Sequence, residues 1–337
     1  MASNRRIVLK SRPEGWVGPE NFELVESAPP TPQPGDVVVR NLWLSVDPYM
    51  RGRMRGAKSY IPGFALGSVI QGGGIGQVTA SRHASYREGD IVQGMLGWED
   101  ISLVPEGRGL MKPDPEAAPL SYYLGVLGMP GMTAWYGMLE IGQPKAGETV
   151  LVSAASGAVG QIAGQIAKFK GARVVGSAGR DDKVAYLRDE LGFDAAFNYR
   201  TAASLGQALE QTCPQGIDVY FENVGGALLD AALLKVKPHA RIVACGMISQ
   251  YNLGEAEGVR NLFNIVANRV RLQGFIVSDH FDRLPEFLGQ MTGWLKAGQI
   301  RYREDVAEGL EATPAAFIRM LKGENFGKQV VHLADPA

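Results

Sequence analysis

Short apolar segments alternate with segments of helical apolar spacing through the middle and latter part of the chain. TVLVSAA (149–155) is typical of a buried strand, and apolar residues then recur at the spacing of one helix face from Val159 to Ala167. ARVVGSA (172–178) predicts the next strand, and DDKVAYLRDEL (181–191) predicts a helix with an acidic first turn. Four more strands are predicted by AAFNY, IDVYFENV, ARIVACG and RLQGFIVSD. This alternation indicates an α/β domain with a doubly wound parallel sheet and right-handed crossovers.

The first 125 residues have a different pattern, of short strands separated by turns. Twelve of the 19 prolines precede residue 120, residues 36–46 are strand-like, and Glu88-Gly89-Asp90 forms a turn before another strand. We therefore expect a β-rich domain over residues 1–125 and a dinucleotide-binding domain over residues 126–300. The helix-like TPAAFIRMLKG and strand-like KQVVHL come after the full strand series, so residues 301–337 are expected to complete the first domain.

The segment from Ala155 to Gly160, followed by Gly164, carries the strongest local signal for a ligand. Residues without side chains let the backbone approach a pyrophosphate, and the start of a helix supplies N–H groups and positive potential. Ala155 replaces the first glycine of the usual GxGxxG pattern. A tight strand–helix turn, or helix packing through GxxxG, is the alternative interpretation. The strand before the motif and the helix after it favour a Rossmann dinucleotide site.

The end of the second predicted strand, residues 175–179, carries no carboxylate. NAD sites place an acid there to bind the ribose hydroxyls. Arg180 and Lys183 follow directly, and Tyr199-Arg200 end the third strand. A cation pairs with a 2′-phosphate that an acid would repel, so the sequence favours NADP(H). Asp181 and Asp182 are expected to face the helix N-terminus and solvent, and a solvated helix lysine is the alternative for Lys183.

Charge and composition narrow the class of protein. The 337 residues suit two domains, and the net charge of −1 gives no basic excess for nucleic acid or an anionic membrane. No apolar run is long enough to span a bilayer, and the first residues contain no apolar signal core. Cys213 and Cys245 form no CxxC pair, which is typical of a reducing compartment, so we expect a cytoplasmic enzyme.

A catalytic metal and a serine nucleophile are both disfavoured by the residue types present. Zinc sites use clustered Cys, His and carboxylate ligands, but no cysteine precedes Cys213 and only His83 lies in residues 1–125. We expect each cysteine to be a small buried residue. The chain also lacks the GxSxG turn of serine hydrolases.

Segments spread over nearly the whole chain resemble one family, the zinc-independent NADP-dependent alkene reductases of the medium-chain dehydrogenase/reductase superfamily. This group includes prostaglandin reductases and bacterial curcumin reductases, and the SQYN segment and Ser59-Tyr60 are most similar to the curcumin reductase branch. The matching segments are SVDPYMRGRM (45–54), GMPGMTAWYGM (128–138), SAASGAVGQIAGQIAK (153–168), GSAGRDDKVAYL (176–187), FNYR (197–200), FENVGG (221–226), CGMISQYN (245–252), GFIVSDH (274–280) and GENFGKQVV (323–331).

The resemblance implies a GroES-like β-rich domain, a Rossmann domain, an active site in the cleft between them, and often a homodimer joined through an edge of the Rossmann sheet. It also implies that the pyrophosphate is held at Gly157, Ala158, Val159 and Gly160, and that Lys183 and Tyr199 bind the 2′-phosphate. Further cofactor contacts are implied at Asn223, Cys245, Gly246, Met247, Ile248, Ser249, Tyr251, Phe275, Ile276, Val277 and Asn325.

The implied reaction reduces the carbon–carbon double bond of a small enone or enal. Hydride goes to the β carbon, the enolate takes a proton, and the protein orients the substrate and donates a hydrogen bond to its oxygen. Tyrosine suits this role because its hydroxyl stays protonated at neutral pH. Tyr251 is the first candidate, Tyr60 the second and Tyr49 the third, and each has a purely packing role as its alternative.

Three other functions remain open from the sequence. A quinone reductase of the same superfamily would share the fold and the cofactor. An alcohol dehydrogenase acting on a hydroxylated lipid would run in the other direction. A non-catalytic NADPH-binding protein is the third, because a fold does not determine a function.

Overall fold

A computed structural model describes residues 3–56 and 59–337 of the chain. Its strands are β1 (Asn4–Leu9), β2 (Phe22–Ser27), β3 (Val37–Ser45), β4 (Gln71–Ser81), β5 (Ile91–Gly97), β6 (Ile101–Val104), β7 (Thr149–Val152), β8 (Arg173–Ala178), β9 (Ala195–Asn198), β10 (Ile217–Glu222), β11 (Val236–Ala244), β12 (Arg271–Gly274), β13 (Glu304–Glu308) and β14 (Lys328–His332). Its α-helices are α1 (Met50–Arg53), α2 (Met129–Tyr136), α3 (Gly160–Phe169), α4 (Asp181–Ala185), α5 (Leu205–Thr212), α6 (Gly226–Leu233), α7 (Phe263–Ala267), α8 (Leu284–Lys296) and α9 (Thr313–Leu321).

The chain divides into two compact units. The first combines Met1–Gly125 with Glu304–Ala337, and the second is Val126–Arg303. The division falls at residues 125/126 and 303/304, whereas the sequence placed it at 125/126 and 300/301.

The first unit is built on a mostly antiparallel sheet with strand order β13-β14-β3-β4-β5, in which β6 also pairs with β3. Only the β13–β14 pair is parallel, and β1 and β2 form a separate antiparallel pair. Fully buried apolar side chains fill its core, and the Trp98 and Phe317 rings meet edge to face in it. This β-rich unit agrees with the first half of the predicted fold.

The second unit is a six-stranded parallel sheet with strand order β12-β11-β10-β7-β8-β9. Counted from β7, this is the Rossmann order 3-2-1-4-5-6, which confirms the predicted doubly wound sheet. The order reverses between β7 and β10, so the carboxyl ends of these two strands border the crevice where such sheets bind ligands. The residues that follow these two strands are Ser153 and Asn223.

The helix predicted over residues 181–191 is divided in the structure. Regular α-helix ends at Ala185, and Tyr186–Glu190 continue with wider turns. Leu187 is fully buried and Tyr186 nearly so, so packing against the unit keeps the segment helical despite the change of pitch. In the described part of the chain, no helix combines the length and the apolar character needed to cross a bilayer.

Candidate cofactor and active site

The turn between β7 and α3 is shaped by the small residues that the sequence singled out. Ala154 has a left-handed backbone with φ of +46°, and the Gly157 N–H donates to the Ala154 carbonyl (2.9 Å). A Cβ at Gly160 would lie 2.4 Å from the same carbonyl oxygen, so only glycine allows this close approach. No side chain caps the start of α3, whose Gln161 N–H donates to the Gly157 carbonyl (3.1 Å), and the positive end of the helix dipole lies at this turn. These features fit the pyrophosphate of a dinucleotide.

Gly164, four residues after the motif, has a packing function. A Cβ at Gly164 would lie 2.0 Å from the Phe193 ring, so the absence of a side chain lets α3 lie close to the loop that precedes β9.

At the end of β8, both acidic residues of the first turn of α4 have protein partners. The Asp182 carboxylate pairs with Arg180 (2.5 Å) and accepts the Lys183 N–H, while Asp181 accepts from the Asn198 amide. The Arg180 side chain lowers the pKa of Asp182 through a hydrogen bond. Arg180, which the sequence grouped with the phosphate-binding cations, is thus paired with an acid of the same turn. Asp181 and Asp182 are both exposed at the start of α4, as the sequence analysis expected.

Lys183 is not a solvated helix lysine. Only 5% of its surface is exposed, although it lies in the first turns of a surface helix. Nearby, the Tyr199 hydroxyl would lie 2.8 Å from a Cβ at Gly179, so glycine there admits the phenol. The Arg200 guanidinium lies 5.9 Å from the Tyr199 ring centre. The lysine and the phenol therefore belong to adjoining strand ends, where the sequence placed the 2′-phosphate.

At the carboxyl ends of β7 and β10, one buried carboxyl group joins several backbone segments. Glu222 has no exposed surface, and its Oε1 accepts from the Ser153 hydroxyl (2.7 Å) and the Val224 N–H (2.5 Å). Asn223 bonds Ser153 twice, through its N–H to the hydroxyl (2.8 Å) and through its amide to the carbonyl (2.7 Å). Burial raises the pKa of Glu222, which favours the neutral acid.

The loop after β11 is tied to the same strand ends. The Cys245 and Gly246 N–H groups both donate to the Glu222 carbonyl, and the Ile248 N–H donates to the Asn223 carbonyl (3.1 Å). The Ser249 N–H and hydroxyl both donate to the Val224 carbonyl. The implied cofactor residues from Asn223 to Ser249 are thus brought together in one network.

Tyr251 lies next to this loop and is held by it. Its hydroxyl oxygen accepts the Met247 N–H (3.2 Å), and a Cβ at Gly246 would lie 3.2 Å from that oxygen. Burial raises the pKa of the Tyr251 phenol, so the hydroxyl is protonated at neutral pH. Because a backbone N–H can only donate, this bond does not use the phenolic hydrogen.

The segment after β12 has a packing role that the sequence did not indicate. The Phe275 ring stands 5.7 Å from the Tyr136 ring and packs against Gly137, while Val277 is buried. The Tyr136 ring also stacks on His280, with 3.9 Å between ring centres. The Phe275 side chain therefore faces α2.

In the first unit, Arg53 joins the two candidate tyrosines of that unit. Its guanidinium donates to the carbonyls of Pro62 (2.9 Å) and Gln71 (3.2 Å) and lies 4.0 Å over the Phe64 ring. It also interacts with the Tyr49 hydroxyl and with Tyr60. Burial raises the pKa of Tyr49, an effect that Arg53 opposes. Tyr60 itself is 63% exposed.

Asn325, the last of the implied cofactor residues, has a hydrogen-bond partner in its own turn. Its amide donates to the Gly327 carbonyl (2.8 Å), which holds the side chain in the turn before β14.

In residues 3–56 and 59–337, no group of three or more His, Cys, Asp or Glu side chains is arranged to hold a metal ion.

Comparison with known proteins assigns the chain to a family. The family described as the N-terminal domain of oxidoreductase matches residues 5–112, and the family described as zinc-binding dehydrogenase matches residues 158–293. The NADP(+)-dependent 2-alkenal reductase of Nicotiana tabacum is 49% identical over 98% of this chain and 97% of its own. The chain belongs to the medium-chain dehydrogenase/reductase family, in the group of alkenal and prostaglandin reductases.

Two other members of this family extend the comparison. The NADPH-dependent curcumin reductase of Escherichia coli is 45% identical over 98% of this chain and 97% of its own. The crystal structure of CurA from Vibrio vulnificus in complex with NADPH is 46% identical, covers 98% of this chain and all of that one, and superposes with a TM-score of 0.93. The resemblance drawn from the sequence, to the group of alkenal and prostaglandin reductases, is therefore confirmed.

Three residues that have several contacts in the structure were given no role from the sequence. Glu222 and Ser153 lie inside segments that were matched as whole motifs, and Arg53 was assigned no role. The available signal was weak: a carboxylate at the end of a buried strand and an arginine between apolar residues. These three residues stand out only in the structure, where each is buried among partners that are distant along the chain. A local sequence pattern does not indicate such contacts.

Proposed function

We propose that this protein uses NADPH to reduce the carbon–carbon double bond of α,β-unsaturated aldehydes and ketones. The observation that carries the proposal is that reductases of such double bonds match the chain from end to end at 45% identity or more. The glycine turn that accommodates a pyrophosphate, and the ribose end without a strand-end acid, support the choice of cofactor.

The residues of the chain suit the binding of NADPH, which supplies a hydride when bound. We assign the pyrophosphate to Gly157, Ala158, Val159 and Gly160, where close backbone approach and the start of α3 favour an anion. Lys183 and Tyr199 are assigned to the 2′-phosphate. The nicotinamide half is assigned to Asn223, Cys245–Ser249, the backbone of Phe275–Val277 and Asn325.

The chemistry left to the protein is to hold the enone and to stabilise negative charge on its oxygen. Tyr251 is our first choice for this donor, because it lies next to the Cys245–Ser249 loop and the bond from the Met247 N–H to its oxygen does not use the phenolic hydrogen. The raised pKa keeps that hydrogen in place at neutral pH. Tyr60 and Tyr49 follow, and the contacts of Arg53 with both support a joint role in binding the substrate.

We also propose that two copies associate through the edge of the parallel sheet. Strand β12 is the edge strand, and all four of its residues are exposed. The neighbouring helix α7 exposes Phe263 (76%) and Val266 (69%), and Leu272 of the strand is 40% exposed. An unpaired strand edge beside apolar side chains suits a second copy of the same edge.

A reducing compartment, the cytoplasm, is our proposal for where the protein works. Cys213 and Cys245 are both free thiols. Burial raises the pKa of Cys213 to about 11 and that of Cys245 to about 12, so both stay protonated near neutral pH. Protonated thiols react slowly with electrophiles such as enals, which suits an enzyme that binds them.

The proposed function is tested by following NADPH absorbance with four acceptors in parallel: an enal, an enone, a saturated ketone and a quinone. An enal and an enone should each support NADPH oxidation, while the saturated ketone of the same skeleton should not. NADH in place of NADPH should give much slower turnover. Oxidation with a simple quinone and none with either conjugated carbonyl compound would instead assign a quinone reductase. Tight NADPH binding without turnover on any acceptor would assign a binding protein.

A further inference from the structure

The ends of β7 and β10 and the loop after β11 meet at a single residue. Glu222 ends β10 and is fully buried, with Oε1 bonded to the Ser153 hydroxyl and the Val224 N–H. Its main-chain carbonyl accepts two further N–H groups, from Cys245 (2.9 Å) and Gly246 (3.1 Å). One residue thus contacts three separate stretches of chain that bear proposed cofactor contacts.

The carboxyl group lies where an apolar residue would be expected. The interior of a parallel sheet disfavours an acid unless its oxygens are satisfied, and removing one partner of a buried polar network is costly. Glu222 Oε2 has no hydrogen-bond partner among the described residues, and the Tyr220 hydroxyl, on the same face of β10, lies against the carboxyl. A buried acid kept under these conditions has a role that a hydrophobic residue cannot fill.

We propose that Glu222 is a positioning residue of the cofactor site, whose carboxyl group fixes the Asn223–Gly225 turn and, through it, the Cys245–Ser249 loop. The geometry acts in two steps. Oε1 holds the Val224 N–H directly and the Asn223 N–H through the Ser153 hydroxyl. The carbonyls of Asn223 and Val224 then hold Ile248 and Ser249.

Preorganisation is the physical benefit. A loop already in its binding conformation loses less conformational entropy when the ligand arrives, so the affinity is higher. The inference rests on the proposed function, because it takes NADPH as the ligand of this loop.

The same strand offers a matched control at its other end. Asp218, near the start of β10, accepts the Thr149 N–H at the start of β7 (2.8 Å) and the Lys237 ammonium group (2.8 Å). It too is a carboxylate that links these two strands, but it lies at the amino ends, away from the cofactor loops. Asp218→Ala should lower the melting temperature without changing NADPH affinity.

The test measures NADPH dissociation constants by fluorescence, with no substrate present, alongside melting temperatures. Wild type is measured first: failure of wild type to bind NADPH would count against the proposed function and not only against the role of Glu222. Given binding by wild type, Glu222→Ala should weaken it at least about tenfold. Glu222→Gln should bind within about threefold of wild type, because the amide oxygen keeps both contacts of Oε1.

Ser153→Ala is the second variant, for the case in which Glu222→Ala does not fold. It removes the hydroxyl between Glu222 and the Asn223 N–H, and should also weaken NADPH binding. Equal NADPH affinity in wild type and in the folded Glu222→Ala or Ser153→Ala protein would overturn the inference. So would a loss of affinity in Asp218→Ala as large as that in the site variants.

Discussion

At the scale of single residues, burial and hydrogen bonding bear on the proposed roles of two side chains, Lys183 and Tyr251. Lys183 lies in the first turns of α4, where a solvated lysine is the ordinary expectation, yet only 5% of it is exposed. Burying the stem of a lysine costs side-chain entropy and brings its charge out of water. We assign Lys183 to the 2′-phosphate because it follows the end of β8, where residues 175–179 carry no carboxylate to repel that group.

Replacing Lys183 separates the two nicotinamide cofactors. Lys183→Ala should weaken NADPH binding by about 10- to 100-fold, the range expected from losing a hydrogen bond to a charged group, about 1.5–3 kcal/mol. NADH binding should hardly change, since NADH has no 2′-phosphate. Titration of NADPH and NADH fluorescence checks both, with Lys170→Ala as a control at an exposed lysine of the same unit. Equal losses for both cofactors would remove Lys183 from the phosphate site.

The second residue is Tyr251, whose hydroxyl bonds the Met247 N–H. Tyr251→Phe should lower kcat about tenfold or more, because the substrate oxygen loses its proton-bearing donor. NADPH affinity should change little, since the Met247 N–H is exposed and water can replace the phenol there. Steady-state kinetics and NADPH titration on the same protein separate these effects. Unchanged kcat would mean that Tyr251 only packs, and Tyr60 would become the first candidate.

At the scale of elements, the parallel sheet leaves one edge open. Unpaired backbone groups of an exposed edge strand favour association with another strand, and β12 has apolar neighbours in α7. Stable dimers bury apolar surface at their centre, so a charge placed there is strongly unfavourable.

A charge beside this edge should dissociate the dimer. Val266→Glu and Phe263→Glu should shift the mass measured by light scattering from that of two chains toward that of one. Leu234→Glu serves as the control, because Leu234 is similarly exposed (60%) in the same unit but lies after α6. A monomeric wild type, or dimers in all variants, would show that this edge does not join two copies.

The sequence predicted elements whose formation depends on neighbouring residues. It missed features that depend on packing against distant parts of the chain. The strand and helix of the glycine motif follow from apolar periodicity over residues 149–167, and the structure confirms both. The wider turns at Tyr186–Glu190 were missed, because they depend on packing against the rest of the unit and not on neighbouring residues. Periodicity reports which face is buried, but it does not report the pitch of the backbone.

Some residues of the candidate site could likewise be predicted from the sequence, and others could not. The spacing of Gly157 and Gly160 between a strand and a helix has one main physical explanation, the binding of a dinucleotide. The sequence also shows directly that no acid lies at the end of β8, in residues 175–179. The Glu222–Ser153 pair spans 69 residues and the Arg53 contacts reach 18 residues along the chain. Such pairs arise only when strands have been assembled, so nothing in the local sequence distinguishes them from other polar residues.

At the scale of the whole molecule, both units match one family of reductases. The central claim is that hydride is added to the carbon–carbon double bond of the substrate and not to its carbonyl group. A conjugated carbonyl compound offers two carbons to hydride, the β carbon and the carbonyl carbon. A hydrogen bond donated to the oxygen would stabilise the enolate that forms when hydride adds to the β carbon, before the α carbon is protonated.

The position of the transferred hydrogen tests this claim most directly. NADPH deuterated at both C4 positions is incubated with the protein and an enone, and the product is analysed by NMR. We predict a saturated ketone with a single deuterium on the former β carbon. An allylic alcohol with deuterium on the former carbonyl carbon, or a saturated ketone without the label at the β carbon, would contradict the account.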